Sequence, residues 1–302
     1  MARFACKRFF SIGLSGLGLA MLLVACRFSA PWRARQTAAS QAAVYQNIVY
    51  LDAPDADPKL NALDIYVPAG ATNAPVLIFV HGGAWTLGDK SGVGSKPEAF
   101  NAAGYVFVSV NYRLAPEVQH PVYVQDVAAA IAWVYHHIAS YGGDPERIFL
   151  LGHSAGAQLV ALVATDETRL QVYGLDLGVI KGVVPLDGAG YDIPNRIHSS
   201  GSGIVEEAYQ EAFGTDPAVW MDASPVYHVA AGKNIPPFLL IYAGEREDAV
   251  IQAETLAAAL ENAGVSVELF HAADKTHATV NQDLAEGDYV FEKIIEFYAS
   301  LQ

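Results

Sequence analysis

The sequence predicts an α/β domain built on a mostly parallel, doubly wound sheet with helices on both faces. Short apolar runs such as VLIFV at 76–80 and FLLIY at 238–242 suit strands that are covered on both faces. Between such runs, residues 127–138 repeat apolar side chains at helical spacing. The chain has 302 residues, of which 52% are hydrophobic, so it is long enough to bury a large core.

The same two patterns place the individual elements. The predicted strands are 63–67, 76–80, 105–111, 147–151, 182–186, 238–242 and 265–270, and the predicted helices are 127–138, 155–164, 248–263 and about 281–301. In open sheets of this kind, functional groups lie at the carboxyl ends of the strands. We therefore look for chemistry directly after each predicted strand.

One long segment, from 188 to about 235, interrupts the alternation after the strand at 182–186. An insertion at the carboxyl end of a strand often forms a lid or a wall of the substrate site. The alternative is a packed excursion with no such role.

The first residues have the features of an export signal. A basic start is followed by an apolar run that is short for a membrane span, and Leu23-Val24-Ala25-Cys26 resembles the lipobox of bacterial lipoproteins. We therefore expect a signal peptide at 1–25, a lipid on Cys26, a tether at 26–45 and the folded domain at 46–302. This implies an exported, membrane-anchored lipoprotein on the periplasmic or cell-surface side. An ordinary signal peptide or a short membrane anchor is the alternative.

The charge balance limits the partners. Acidic residues number 32 and basic ones 18, so the net charge of −14 argues against nucleic-acid binding. The glycine-rich segments match no phosphate loop, and His271, Asp274 and His277 lack the further ligands of a metal site. We expect no cofactor and no metal, and the sequence carries no signal for an oligomeric state.

The pentapeptide Gly152-His153-Ser154-Ala155-Gly156 follows a buried strand and opens a helix. A sharp strand-to-helix turn exposes a serine hydroxyl and requires small neighbours on either side. The helix start also offers free backbone N–H groups to an anion formed nearby. Ser154 is therefore the candidate nucleophile.

A second glycine motif, HGGAW at 81–85, directly follows the strand at 76–80. With NYRLAPE at 111–117, YGGDPERI at 141–148 and GHSAG at 152–156, the chain resembles the α/β-hydrolase superfamily. The resemblance is to the hormone-sensitive-lipase-like carboxylesterase branch, with kynurenine-formamidase-like relatives. It implies that an oxyanion hole is formed by the backbone N–H groups of these residues: Gly82, Gly83, Ala84 and Ala155.

A serine hydroxyl needs an imidazole to accept its proton. The chain order of the superfamily, serine, acid and histidine, points to His277, which lies between the last predicted strand and the last helix. His271, at the end of that strand, is the nearest rival.

The acid is expected in the segment 243–248, after the strand at 238–242. Asp248 ranks first because aspartate is the commoner residue type, and Glu245 ranks second because it lies nearest the strand end. Glu247 stands three residues after a glycine, an offset that many relatives use.

These residues imply a carboxylesterase-like serine hydrolase that cleaves small or medium acyl esters through an acyl-enzyme. An arylformamidase or another small amidase with the same triad is the first alternative. A non-catalytic lipoprotein that retains the fold is the second.

The lipobox gives the first testable prediction. Mass spectrometry of the native amino terminus should find a mature chain that begins at acylated Cys26, and Cys26→Ser should release the protein from membranes. A native chain that keeps residues 1–25, or that begins elsewhere without a lipid, would contradict the assignment.

Overall fold

The computed structural model describes residues 42–199 and 203–302. The predicted signal peptide at 1–25, the predicted lipid site Cys26 and most of the predicted tether at 26–45 lie outside the described residues.

One eight-stranded sheet organises the described chain, with the order β1-β2-β4-β3-β5-β6-β7-β8. β2 is antiparallel to both β1 and β4, and the remaining neighbours are parallel. The strands are β1 Ala43–Val49, β2 Ala62–Val67, β3 Ala74–Val80, β4 Val106–Val110, β5 Gly143–His153, β6 Ile180–Leu186, β7 Phe238–Ala243 and β8 Val267–Ala272.

Helices connect the strands and cover the sheet. They are α1 Lys96–Ala102, α2 Val122–His137, α3 Ala155–Thr165, α4 Thr168–Gln171, α5 Ile193–Ser199, α6 Gly203–Phe213, α7 Pro217–Asp222, α8 Glu247–Asn262, α9 Thr279–Gln282 and α10 Tyr289–Ala299. Short 3₁₀ segments span Ile138–Tyr141, Leu177–Val179 and Pro225–Tyr227.

Two separate cores explain why the central strands are apolar throughout. In β3, Ile78 faces a core shared with α2, α3 and α8, whereas Leu77 and Phe79 face a second core shared with α1 and α10. β5 alternates in the same way, because successive side chains of a strand point to opposite faces. The doubly wound sheet that the sequence predicts is therefore confirmed.

All seven predicted strands are present, and β1 is an eighth strand that was not predicted. This strand lies at the edge of the sheet and is largely exposed, so it has no apolar run. It begins at Ala43, which places residues 43–45 in the sheet rather than in the predicted tether. The predicted helix at 281–301 is also wrong in part. Gly287, at φ +85°, and the capping carboxylate of Asp288 separate α9 from α10.

The insertion at 188–235 contains α5, α6 and α7 between β6 and β7. Tyr209 and Phe213 of α6 pack edge-to-face against Trp85, with ring centroids 5.2 and 4.7 Å apart. The insertion is therefore joined to the glycine motif after β3. Within residues 42–199 and 203–302, no helix is both long enough and apolar enough to cross a membrane.

Candidate active site

The loops that follow β3, β5, β6, β7 and β8 all emerge at one edge of the sheet, because these strands are parallel. The register pairs Val80 with Gly152 and His153 with Leu186. The HGGAW motif, Ser154 and Asp187 are therefore brought to the same place by three adjacent strands.

The turn between β5 and α3 is tight and strained. Ser154 has φ +57° and ψ −116°, a conformation that side chains rarely adopt. A methyl group on Gly152 would lie 2.2 Å from the carbonyl oxygen of Gly156, and one on Gly156 would lie 2.2 Å from that of Val80. The two glycines thus let α3 start directly against β3 and β5, which presents the Ser154 hydroxyl at the sheet edge.

Three side chains form a continuous hydrogen-bonded series. The Ser154 hydroxyl lies 3.1 Å from Nε2 of His277, and Nδ1 of His277 lies 2.6 Å from Oδ2 of Asp187. An imidazole between a hydroxyl and a carboxylate can accept the hydroxyl proton, while the carboxylate fixes its tautomer and stabilises its charged form. The sequence predicts that Ser154 and His277 lie together, and the structure brings them together.

The third member of this series, Asp187, immediately follows β6 and is not among the acids that the sequence predicts. Its side chain is fully buried, and its Oδ1 accepts a hydrogen bond from the N–H of Ala243 at 3.0 Å. Burial alone would raise the pKa of Asp187, but the His277 hydrogen bond, the charge of Arg246 and the Ala243 N–H together hold it below its usual value. The carboxylate therefore stays ionised in the neutral range.

The expectation that Asp248 or Glu245 is the partner of His277 does not match the structure. Asp248 lies in the first turn of α8 and binds two arginines through Oδ2, at 3.0 Å from each. Glu245 is exposed. Because β6 lies next to β5, its carboxyl end brings Asp187 to the edge of the sheet that carries Ser154, and there Oδ2 of Asp187 lies 2.6 Å from Nδ1 of His277. Asp187 also satisfies the chain order serine, acid, histidine, which was the available signal.

The loop that carries His277 is hydrogen-bonded to His153, the residue before the candidate nucleophile. His153 lies 2.8 Å from the backbone oxygen of His277 through Nε2, and the two rings lie 4.7 Å apart. Burial, with the neighbouring His277, lowers the pKa of His153 to about 4, so its ring is neutral and donates this hydrogen bond. The rival His271 instead contacts the backbone oxygen of Gly244 through Nε2, at 2.9 Å, and is not part of the series with Ser154.

The HGGAW loop lies against Ser154. Its residues Gly83, Ala84 and Trp85 all have positive φ, and a methyl group on Gly82 would come within 2.9 Å of Cβ of Ser154. Within the described chain, the N–H groups of these residues have no acceptor: Gly82, Gly83, Ala84 and Ala155. Unpaired N–H groups beside a nucleophile can bind an oxyanion.

The segment that follows β4 supports the HGGAW loop through hydrogen bonds. The Tyr112 hydroxyl donates to the carbonyl oxygen of His81 at 3.1 Å, and the N–H of Ala115 donates to that of Trp85 at 2.9 Å. Next to them, Arg113 forms a two-pronged ion pair with the buried Asp126, at 2.9 and 2.8 Å. These contacts hold the strained backbone in place.

Comparison with known proteins places this geometry in a family. The model of the family described as BD-FAE matches residues 63–260. The chain belongs to the BD-FAE family. The resemblance to the α/β-hydrolase superfamily and its hormone-sensitive-lipase-like carboxylesterase branch is thereby confirmed.

Curated relatives of this BD-FAE chain are named esterases. The chain is 35% identical to Esterase LipQ of Mycobacterium tuberculosis over 224 aligned residues. The alignment covers 68% of this chain and 51% of LipQ. The chain is 33% identical over 227 residues to Carboxylesterase NlhH of the same species, covering 71% and 69%. The chain thus spans about half the length of LipQ and about two thirds of that of NlhH.

The BD-FAE chain also shares its fold with solved structures. Esterase B of Lactobacillus rhamnosis aligns with a TM-score of 0.69 at 22% identity, over 87% of this chain and 86% of that one. A hyperthermophilic esterase of the archaeon Pyrobaculum calidifontis gives 0.66 at 24% identity, over 86% and 85%. Both establish the α/β-hydrolase fold.

A cavity of about 230 Å³ opens beside Ser154 and His277. The insertion contributes a wall through α5 and α6, so it lines the site, as one of the two interpretations of this segment predicted. The other residues along the cavity are small, aromatic or charged: Ala84, Trp85, Ala155, Asp187, Ala189, Gly190, Arg196, Ala208, Tyr209, Arg246 and Asp248.

The close packing at the turn between β5 and α3 predicts the effect of adding one methyl group to Gly156. Gly156→Ala should lower the free energy of unfolding by about 1–3 kcal/mol, because its Cβ would push against the backbone of β3. Gly203→Ala is the matched control: this helical glycine has no neighbour within 4 Å among the described residues, and the change should be neutral or slightly stabilising. Urea unfolding followed by circular dichroism measures both. Equal stabilities of the two variants would contradict the described contact.

Proposed function

We propose that the chain is a serine carboxylesterase that hydrolyses esters of small or medium acyl groups. The observation that carries this is the series Ser154, His277 and Asp187 at hydrogen-bond distances beside unpaired backbone N–H groups. The names of the curated relatives support the same activity, and the cavity of about 230 Å³ supports a small acyl or alcohol group.

In the proposed reaction, Nε2 of His277 accepts the hydroxyl proton of Ser154 as the oxygen attacks the ester carbonyl carbon. Asp187 accepts a hydrogen bond from the protonated ring at Nδ1 and stabilises its positive charge. The carbonyl oxygen becomes an oxyanion within reach of the N–H groups of Ala155, Gly83 and Ala84. Removing one such donor costs about 2.7–4 kcal/mol of barrier in a serine protease, which sets the scale of this stabilisation.

Collapse of the tetrahedral intermediate breaks the bond between carbon and the alcohol oxygen. His277 gives its proton to that oxygen, and the alcohol leaves an acyl group bound to Ser154. Water then enters, loses a proton to His277 and attacks the acyl carbon. The second collapse releases the carboxylic acid and returns the proton to Ser154, so atoms and charge balance over the cycle.

We also propose that the domain works at a membrane surface on the exported side, tethered through a lipid on Cys26. The lipobox-like sequence supports this.

The assignment of the acid predicts a clear ranking of variants on 4-nitrophenyl butyrate. Ser154→Ala should abolish turnover, and Asp187→Asn should lower kcat by about 10³–10⁴-fold, because an amide cannot hold the required tautomer. Asp248→Asn should lose much less, since its carboxylate lies on arginines and not on the imidazole.

Steady-state kinetics of the three variants, with thermal unfolding as a control for folding, makes the test. A larger loss for Asp248→Asn than for Asp187→Asn would restore Asp248 as the acid. Undiminished turnover by folded Ser154→Ala would remove the mechanism altogether.

A further inference from the structure

Two arginines line the cavity beside Ser154, and in the proposed cleavage neither of them contacts the ester. Arg196 belongs to α5 in the insertion, and Arg246 lies between β7 and α8. They share one acceptor, because each donates through Nη2 to the same oxygen of Asp248 at 3.0 Å. A single carboxylate oxygen thus faces two guanidinium groups.

The two arginines differ in the donors that they have left. Arg246 is also bound to Oδ2 of Asp187 at 2.6 Å, so both its terminal nitrogens are engaged. Arg196 has no second ion pair among the described residues, and its Nε is buried without an acceptor. Its side chain is only 12% exposed. Burying a cation with an unpaired donor is costly unless a ligand completes its partners.

The rest of the wall offers a substrate few other polar groups. Nε1 of Trp85 donates to Gln158 at 3.0 Å, and the hydroxyl of Tyr209 donates to the carbonyl oxygen of Ala189 at 2.7 Å. Trp85 therefore presents its ring surface, beside alanines and a glycine, whereas the Tyr209 hydroxyl also lies close to Arg196. Apart from the reacting groups, the arginines and Asp248 are the polar elements of this wall, in a protein whose net charge is −14.

We propose that the site takes esters that carry a carboxylate, and that Arg196 binds this carboxylate as a specificity-determining residue. This rests on the proposed ester hydrolysis at Ser154. A planar guanidinium matches a carboxylate through two parallel N–H···O bonds, and Asp248 uses only one donor of Arg196. The substrate carboxylate would bind the donors that Arg196 presents to the cavity and would share them with Asp248.

The test compares pairs of esters that differ only in a carboxylate and its neutral carboxamide isostere. Monoethyl succinate against ethyl succinamate places the group on the acyl side. Acetoxybenzoate against acetoxybenzamide, both para-substituted, places it on the alcohol side. The measured quantity is the ratio of kcat/KM for the acid to kcat/KM for the amide within each pair.

In the wild type, the ratio should exceed one for the pair that matches the position of Arg196. Arg196→Gln should lower that ratio by roughly tenfold to a hundredfold, the usual scale for a hydrogen bond to a charged group. Asp248→Asn should raise the ratio, because it removes the competing carboxylate. Lys59→Gln is the control for net charge: this exposed lysine lies outside the cavity, and its loss should leave the ratio unchanged.

Wild-type ratios at or below one for both pairs would overturn the proposal, as would an equal loss on acid and amide in Arg196→Gln. The proposed esterase activity is judged separately, from turnover of the carboxamide esters by the wild type. If those are cleaved and the ratios fail, the carboxylate preference is wrong and the esterase assignment stands. If Arg196→Gln does not fold, Asp248→Asn still decides, since a ratio that falls or stays the same contradicts the proposal.

Discussion

The hydrogen bond between Asp187 and His277 is the contact on which the proposed chemistry depends. It joins the end of β6 to a loop after β8, two strands away in the sheet, and it is 2.6 Å long. A buried carboxylate is unstable unless its charge is compensated. Here the imidazole, the Ala243 N–H and Arg246 provide that compensation. The arrangement that keeps Asp187 ionised is thus the same one that orients the imidazole toward Ser154.

The site contains backbone strain that the surrounding packing sustains. Ser154, Asp187 and the consecutive residues Ala84 and Trp85 all have positive φ, and each such residue costs on the order of 1–3 kcal/mol. They are held between a sheet with a core on each face and the insertion that packs on Trp85. The strain lies where the reaction needs a hydroxyl and N–H groups aimed at one point. Arg196 is a comparable case in a side chain, because a buried cation with an unpaired donor is costly unless a ligand completes its partners.

The sequence was sufficient for the sheet and for the nucleophile, but not for every partner. Apolar runs such as 76–80 and 238–242 predict buried strands because the two cores on the sheet leave no polar face. Strand β1 has no such signal, since an exposed edge imposes no pattern. Ser154 is marked by two glycines that steric contact requires. Asp187 has no local sequence signal: carboxylates follow both β6 and β7, and only the folded structure shows which of them binds the imidazole.

The downfield region of the proton NMR spectrum tests the contact between Asp187 and His277 directly. A proton shared between His277 Nδ1 and a buried carboxylate should resonate far downfield of ordinary amide protons, because the hydrogen bond is short and charge-assisted. This resonance is expected in the wild type and in Asp248→Asn, and it should be lost in Asp187→Asn. A resonance that survives in folded Asp187→Asn and disappears in Asp248→Asn would contradict it.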